Sequence, residues 1–164
     1  MNLSKNLTLK EVIKSNTATR LGIDNTLTSE HLENLKVLAE ELFQPLRDII
    51  KYPIYISSGY RSKALNQAIN GSENSSHCKG QAIDIDMDIS GTDNVTNWDI
   101  FCTIKEELDF DTLIHEYGEL GEPDWVHVSY VSDKLNRNRV LRAYKDKKGN
   151  TKYELWKHLN RRPW

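Results

Sequence analysis

Three side chains have the types and spacing of a metal site. His77 sits in the small, polar stretch NSSHCKG, Asp84 follows seven residues later in QAIDIDMD, and His127 lies between two valines in DWVHVSY. Two imidazole nitrogens and one carboxylate oxygen are a common ligand set for a catalytic zinc ion, and they leave a fourth position for water, whose pKa then falls to about 7. A hydrolase of this kind also needs a base beside the water that is not itself a ligand. Asp124, three residues before His127, fits best by spacing, with Glu116, Glu119 and Glu122 as rivals. Residues three apart on an ideal strand point to opposite faces, so the choice of Asp124 demands a local bend; Pro123 marks it as the last loop residue before the strand. Each of these residues also has a plainer role open to it: an ordinary loop histidine, one solvated acid among Asp84, Asp86 and Asp88, a satisfied core histidine.

Such residues act together only if the elements carrying them meet. QAIDIDMDI alternates strictly, which predicts a strand with Ile83, Ile85, Met87 and Ile89 on its apolar face and the acids on the other. In WVHVSY, Trp125, His127 and Ser129 share a face. If these two strands are neighbours, His127 and Asp84 converge, and a turn at Gly80 folds His77 over them. Trp125 and Ser129 would then shape the pocket or orient the imidazole. Arg61 lies between the end of a strand, YPIYISSGY, and a helix, SKALNQAIN, capped by Ser62. From Thr28, the residues Leu32, Leu35, Leu38, Leu42, Leu46 and Ile49 recur at helical steps, with Pro45 expected to kink or divide the helix. NWDIFCTIKEEL reads as a helix, FDTLIHEY as a strand in which His115 is structural or supports the ligands, and VLRAYKDKKGNTKYELW as a hairpin turning at Gly149 and Asn150. Residues 1–27 read as a polar lead-in with one helical turn around Leu9 to Lys14. The expected fold class is α+β, a mainly antiparallel central sheet with helices packed on one face.

A length of 164 residues suits a single domain that needs no disulfide to hold its core. The formal net charge of −2 gives no basic footprint, which argues against nucleic-acid binding. Cys78 and Cys102 lie in no CxxC arrangement, so neither a thiolate zinc site nor a disulfide framework is expected, and whether the two pair stays open. No segment approaches the ~18 apolar residues of a membrane span. MNLSKNLTLKEVIKS lacks the apolar run of a signal peptide, so cytoplasmic synthesis is expected. The basic tail from Lys157 to Arg162 reads as a solvated end.

Taken together, SGYRS, SSHCKGQAID and DWVHVS resemble the zinc peptidases of bacterial cell-wall peptides. That group holds D-alanyl-D-alanine carboxypeptidases, vancomycin-resistance D,D-dipeptidases and phage L-alanyl-D-glutamate endolysins. Its pattern is S-x-H-x-x-G-x-A-x-D, then far downstream an acid, two residues and a histidine. His77, Gly80, Ala82 and Asp84 match in order, Asp124 and His127 match the second half, and either Ser75 or Ser76 can fill the serine position. The resemblance runs from about Leu27, through FQPLR at Phe43 to Arg47, as far as Arg137. It implies a hedgehog/D,D-peptidase-like fold and one zinc ion on His77, Asp84 and His127. It further implies Asp124 as base, Arg61 orienting substrate and stabilising the oxyanion, and Ser76, Trp125 and Ser129 lining the substrate site. The implied substrate is a peptidoglycan stem or cross-link peptide, cut by a monomeric carboxypeptidase or endopeptidase, with a phage endolysin among the candidates. Such an enzyme would reach the wall after holin-type release or as a virion component. Two other readings stand beside it: a catalytically silent wall-binding or virion module of the same fold, and a zinc hydrolase for a non-wall peptide. Zinc content, a peptidoglycan digest and a panel of stem peptides separate them.

Overall fold

In the computed structural model, which describes residues 1–91 and 94–156, the first residues already build core. Strands β1 (Asn2–Ser4) and β2 (Leu7–Thr8) form a two-stranded ribbon, followed by helices α1 (Leu9–Ile13) and α2 (Asn16–Leu21). Thr8 caps α1 through a reciprocal capping box with Glu11, and Ser15 caps α2. Leu3, Leu7 and Val12 are buried, so the segment expected to be a polar lead-in is part of the folded domain. Its apolar residues are too few and too short-ranged to show a period, which is why the pattern hid them.

Helix α3 (Ser29–Leu38) begins at Thr28, whose Oγ1 accepts the His31 N–H at 3.2 Å, and continues through a wide π-helical turn, Ala39–Phe43, into α4 (Gln44–Ile50). Pro45 has no N–H to offer the Glu41 carbonyl, and its ring would crowd that oxygen in a regular helix. The wide turn, in which the Gln44 N–H reaches back to Ala39 O, removes the conflict without breaking the helix. The extra residue rotates everything that follows. Leu42, Phe43 and Leu46 still face the core, but Ile49 is 48% exposed and Ile50 packs inward in its place.

Among the described residues the main sheet has six strands: β3 (Ile56–Ser58), β4 (Ala82–Ile85), β5 (Thr112–Glu116), β6 (Trp125–Ser129), β7 (Arg139–Lys145) and β8 (Thr151–Leu155). Their order is β3-β4-β6-β5-β7-β8, antiparallel except for the parallel pair β5 and β7. Ile83, Ile85, Leu113, Val126 and Val128 project from one face into a continuous core with Leu35, Leu38, Phe43 and Leu46 of the long helix and Ile100, Phe101 and Ile104 of α6 (Asn97–Glu107), the helix that follows the short α5 (Lys63–Ala68). The expected α+β architecture, helices covering one face of a mainly antiparallel sheet, is the one observed. The opposite face carries the polar residues of β4, β5 and β6.

Two local expectations fail for one reason. The acid run leaves the sheet at Asp86, whose carboxylate accepts the Asp88 N–H at 3.1 Å and starts a 3-10 turn, Met87–Ser90. Asp86 and Asp88 therefore do not continue the face of Asp84, and Ile89 is 60% exposed. An aspartate that can bond its own backbone two residues on competes with the ladder and ends the strand. No disulfide joins Cys78 and Cys102. The hairpin of β7 and β8 forms as expected, turning through Gly149 at φ +79°. The basic tail from Lys157 lies outside the described residues.

Candidate metal centre and active site

Register brings the ligand candidates together. Asp84 on β4 stands directly opposite His127 on β6, and Ile114 on β5 is the other cross-strand partner of His127. His127 Nδ1 is 2.8 Å from Asp84 Oδ1. His77 comes from a 3-10 turn, Ser76–Lys79, that precedes β4, and its Nε2 stands 3.2 Å from both Asp84 Oδ1 and His127 Nδ1. Gly80 makes this return possible: it takes φ +69°, and a Cβ there would lie 2.5 Å from the His31 carbonyl oxygen of α3.

The supporting hydrogen bonds fix how these groups present themselves. His77 Nδ1 donates to the Gly59 carbonyl at 2.7 Å, so the lone pair of Nε2 faces the cluster. Burial lowers the His77 pKa and keeps the ring neutral, as a metal ligand must be. Burial works against an Asp84 carboxylate, but the two adjoining imidazoles outweigh it and hold its pKa well below the ordinary carboxylate range. The second oxygen of Asp84 accepts from Arg61 Nη2 at 2.9 Å, while Arg61 Nε donates to Ser58 Oγ at 3.1 Å. Arg61 thus locks Asp84 so that Oδ1 is turned to the imidazoles.

The donor set fits a tetrahedral ion. Ligand atoms held about 2.0–2.1 Å from zinc at tetrahedral angles stand about 3.3 Å apart. The three donors here, two imidazole nitrogens and one carboxylate oxygen, lie 2.8, 3.2 and 3.2 Å from one another. His77, Asp84 and His127 form a group able to hold a metal ion.

The acids near this cluster are placed differently from the spacing argument. Asp124 is exposed, and its carboxylate makes no hydrogen bond or ion pair among the described residues. It lines a separate hollow with Asp88, Thr96, Asn97 and Trp98 at the start of α6. Its backbone is held instead: the Asp124 N–H donates to Glu116 O at 3.0 Å, and Asn97 Nδ2 donates to Asp124 O at 3.1 Å. Strand pairing of β5 with β6 begins at the next residue, with Trp125 opposite Glu116. Glu116 lies two residues along β5 from Ile114 and so shares the face of His127. It is only 7% exposed, and its carboxyl makes no hydrogen bond or ion pair among the described residues. Burial pushes its pKa up to about 7, with the nearby Asp84 charge adding to the effect and His127 and Arg61 opposing it. The one signal that could have singled out Glu116 among its rivals is alternation in FDTLIHEY combined with the register against WVHVS, and the sequence does not carry the register.

The remaining candidates separate by location. Trp125 is half-buried beside Glu116, its ring 5.3 Å from that of Tyr117, and walls the site. Ser129 is 1% exposed and its hydroxyl bonds within the ladder, accepting from the Thr112 N–H at 3.2 Å, so it holds strands and presents nothing to a ligand. Ser76 is half-buried at the head of the His77 turn. His115 projects to the helical face, fully buried among the rings of Phe101, Trp98 and Trp156, away from the cluster.

No curated protein matches the chain. A family model described as Peptidase M15 matches residues 5–129, from the first ribbon to the end of β6, and so takes in the N-terminal segment as well as every residue of the cluster. That match, which covers most of the 164 residues and takes in the His77, Asp84 and His127 group and the buried acid beside it, places the chain in the Peptidase M15 family.

Proposed function

We propose that this protein is a zinc-dependent peptidase that hydrolyses stem or cross-link peptides of peptidoglycan, with His77, Asp84 and His127 holding the ion. The observation that carries the reading is the convergence of two imidazoles and one carboxylate within hydrogen-bonding distance of each other, beside a buried carboxyl with no partner among the described residues. When bound, zinc supplies Lewis acidity toward a peptide carbonyl and toward water. Glu116 is the base: its carboxyl, poised near neutrality by burial, takes a proton from the attacking water and returns it to the leaving amine. Arg61 acts first on Asp84, fixing which oxygen faces the imidazoles, and the remainder of its guanidinium is available to a substrate oxygen. Trp125 and Tyr117 form an aromatic wall beside Glu116. Asp124 has no part in proton transfer in this scheme. Action at the cell wall follows from the substrate.

The test is a digest of purified peptidoglycan with the zinc-loaded protein, read by mass spectrometry. New free amines and carboxyls within the stem or cross-link are expected, and their masses name the bond and separate carboxypeptidase from endopeptidase. Intact muropeptides after exhaustive digestion, with zinc bound, would sink the reading.

A further inference from the structure

The outer edge of β3 carries a backbone hydrogen-bonding pair that the fold does not use. β3 is the terminal strand of the sheet. Ile56 stands opposite Ile85, and the Asp86 N–H donates to Tyr55 O at 3.0 Å. In an antiparallel ladder this pattern makes Ile56 and Ile85 a non-hydrogen-bonded pair, so the N–H and C=O of Ile56 point away from β4. Neither finds a partner among the described residues. Such an edge is a template for another extended chain. It is not buried by the domain, because it faces a groove of about 530 Å³. Lys14 and the connection after α1 line it, as do Ile69 and Ile89. These two isoleucines are 41% and 60% exposed, apolar surface that the core leaves uncovered.

Through Arg61 the groove adjoins the metal cluster. Arg61 and Ser58 line it, and the same Arg61 bonds Ser58 Oγ and Asp84 Oδ2. Beyond Ser58 the edge is closed, since the Tyr60 N–H donates to Val12 O at 2.7 Å and a Cβ on Gly59 would lie 2.2 Å from that oxygen. The open part therefore spans Tyr55 to Ser58, room for about two or three residues of an extended peptide.

We propose that the peptide arm of the substrate lies in this groove as a strand added to β3. Its backbone bonds the outward N–H and C=O of Ile56, its alanine methyl groups rest on Ile69 and Ile89, and Arg61 stands where the arm meets the cluster. The proposal rests on the peptidase reading for the identity of the peptide, and strand addition gives it affinity through main-chain bonds.

The experiment uses the full chain with Glu116→Gln, which binds without turning over, and a synthetic stem pentapeptide titrated by calorimetry. Ile56→Pro removes one outward N–H at an edge position where proline is tolerated, and weakening of about fivefold is expected, the effect of one hydrogen bond. Methylating the peptide amide that donates to the Ile56 carbonyl removes the other bond of the pair, and it should weaken binding similarly and add to the effect of Ile56→Pro. Ile69→Asp is expected to weaken binding about tenfold. In the protein with Glu116 intact it should raise KM with kcat within about twofold. Because Ile56→Pro can perturb the strand, its thermal midpoint is measured alongside, and the methylated peptide tests the companion bond, to the Ile56 carbonyl, on unmodified protein. Affinities within twofold across Ile69→Asp and the methylated peptides would overturn the groove while leaving hydrolysis standing. Groove-dependent binding by a protein that cleaves no peptide would uphold the groove and overturn the peptidase reading.

Discussion

At the residue scale the decisive choice is between two acids. Glu116 is buried on the face of His127, and Asp124 is exposed and unattached to it. Glu116→Gln is expected to keep its zinc, measured by metal analysis, and to lose about 10²–10⁴-fold in kcat on a stem peptide. Asp124→Asn should stay within about threefold of the parent protein. The reverse ranking would return the role of base to Asp124. The metal-free protein gives a second check. Burial raises Glu116 from 4.5 to about 7, so as pH rises the unfolded chain ionises there before the folded one does. That part of the stability is complete below the ordinary glutamate pKa and is lost as pH climbs through about 7. In chelated protein, Glu116→Gln should match the parent near pH 4 and exceed it by about 3 kcal/mol near pH 8 in denaturant titrations. Equal stability at both pH values would show that the carboxyl is not held in a dry site. The histidine and aspartate ligand candidates were legible from residue type and spacing alone, whereas Glu116 stood among four acids that spacing could not rank by orientation.

At the element scale, two junctions hold the cluster in place. Gly59 lets α1 close on β3, where a Cβ would lie 2.2 Å from Val12 O, and its carbonyl anchors His77 at 2.7 Å. Gly59→Ala should therefore lower both the thermal midpoint and zinc affinity, while Gly149→Ala, at a turn with open space around it, should leave zinc affinity unchanged. The second junction is a fork. Arg137 Nε and Nη2 meet the two oxygens of Asp111 at 2.7 and 2.6 Å and tie the loop after β6 to the start of β5. Hydrogen bonding from Arg137 holds Asp111 below the ordinary carboxylate range, against the effect of burial. The stabilisation is therefore present above the ordinary aspartate pKa and fades as pH falls through the lower folded value. Asp111→Asn should cost about 1–3 kcal/mol at neutral pH, with the deficit shrinking below about pH 4. A deficit independent of pH would assign the loss to packing. Periodicity marked the helices and strands, but Asp86 turning on its own backbone and Pro45 forcing a wide helical turn are local chemistry that outweighs period, and both moved side chains from their expected faces.

At the scale of the whole molecule, the core and the cluster occupy opposite faces of one sheet, so metal and fold are separable. Chelation is expected to abolish activity and lower the thermal midpoint by mass action, with the far-UV and near-UV circular dichroism of a folded protein retained. Loss of near-UV signal would show that the ion is structural. Deleting residues 1–27 should unfold the domain, since Leu3, Leu7 and Val12 belong to its core. By itself the sequence determined the kind of chemistry, because ligand types and their offsets are local facts, and the fold class, because alternation and helical steps are local too. Only the tertiary structure decided which acid faces the histidines, which serine is consumed by the ladder and which strand edge stays open. Those depend on register between segments distant in the chain, and a shift of one residue in register sends every side chain to the other face.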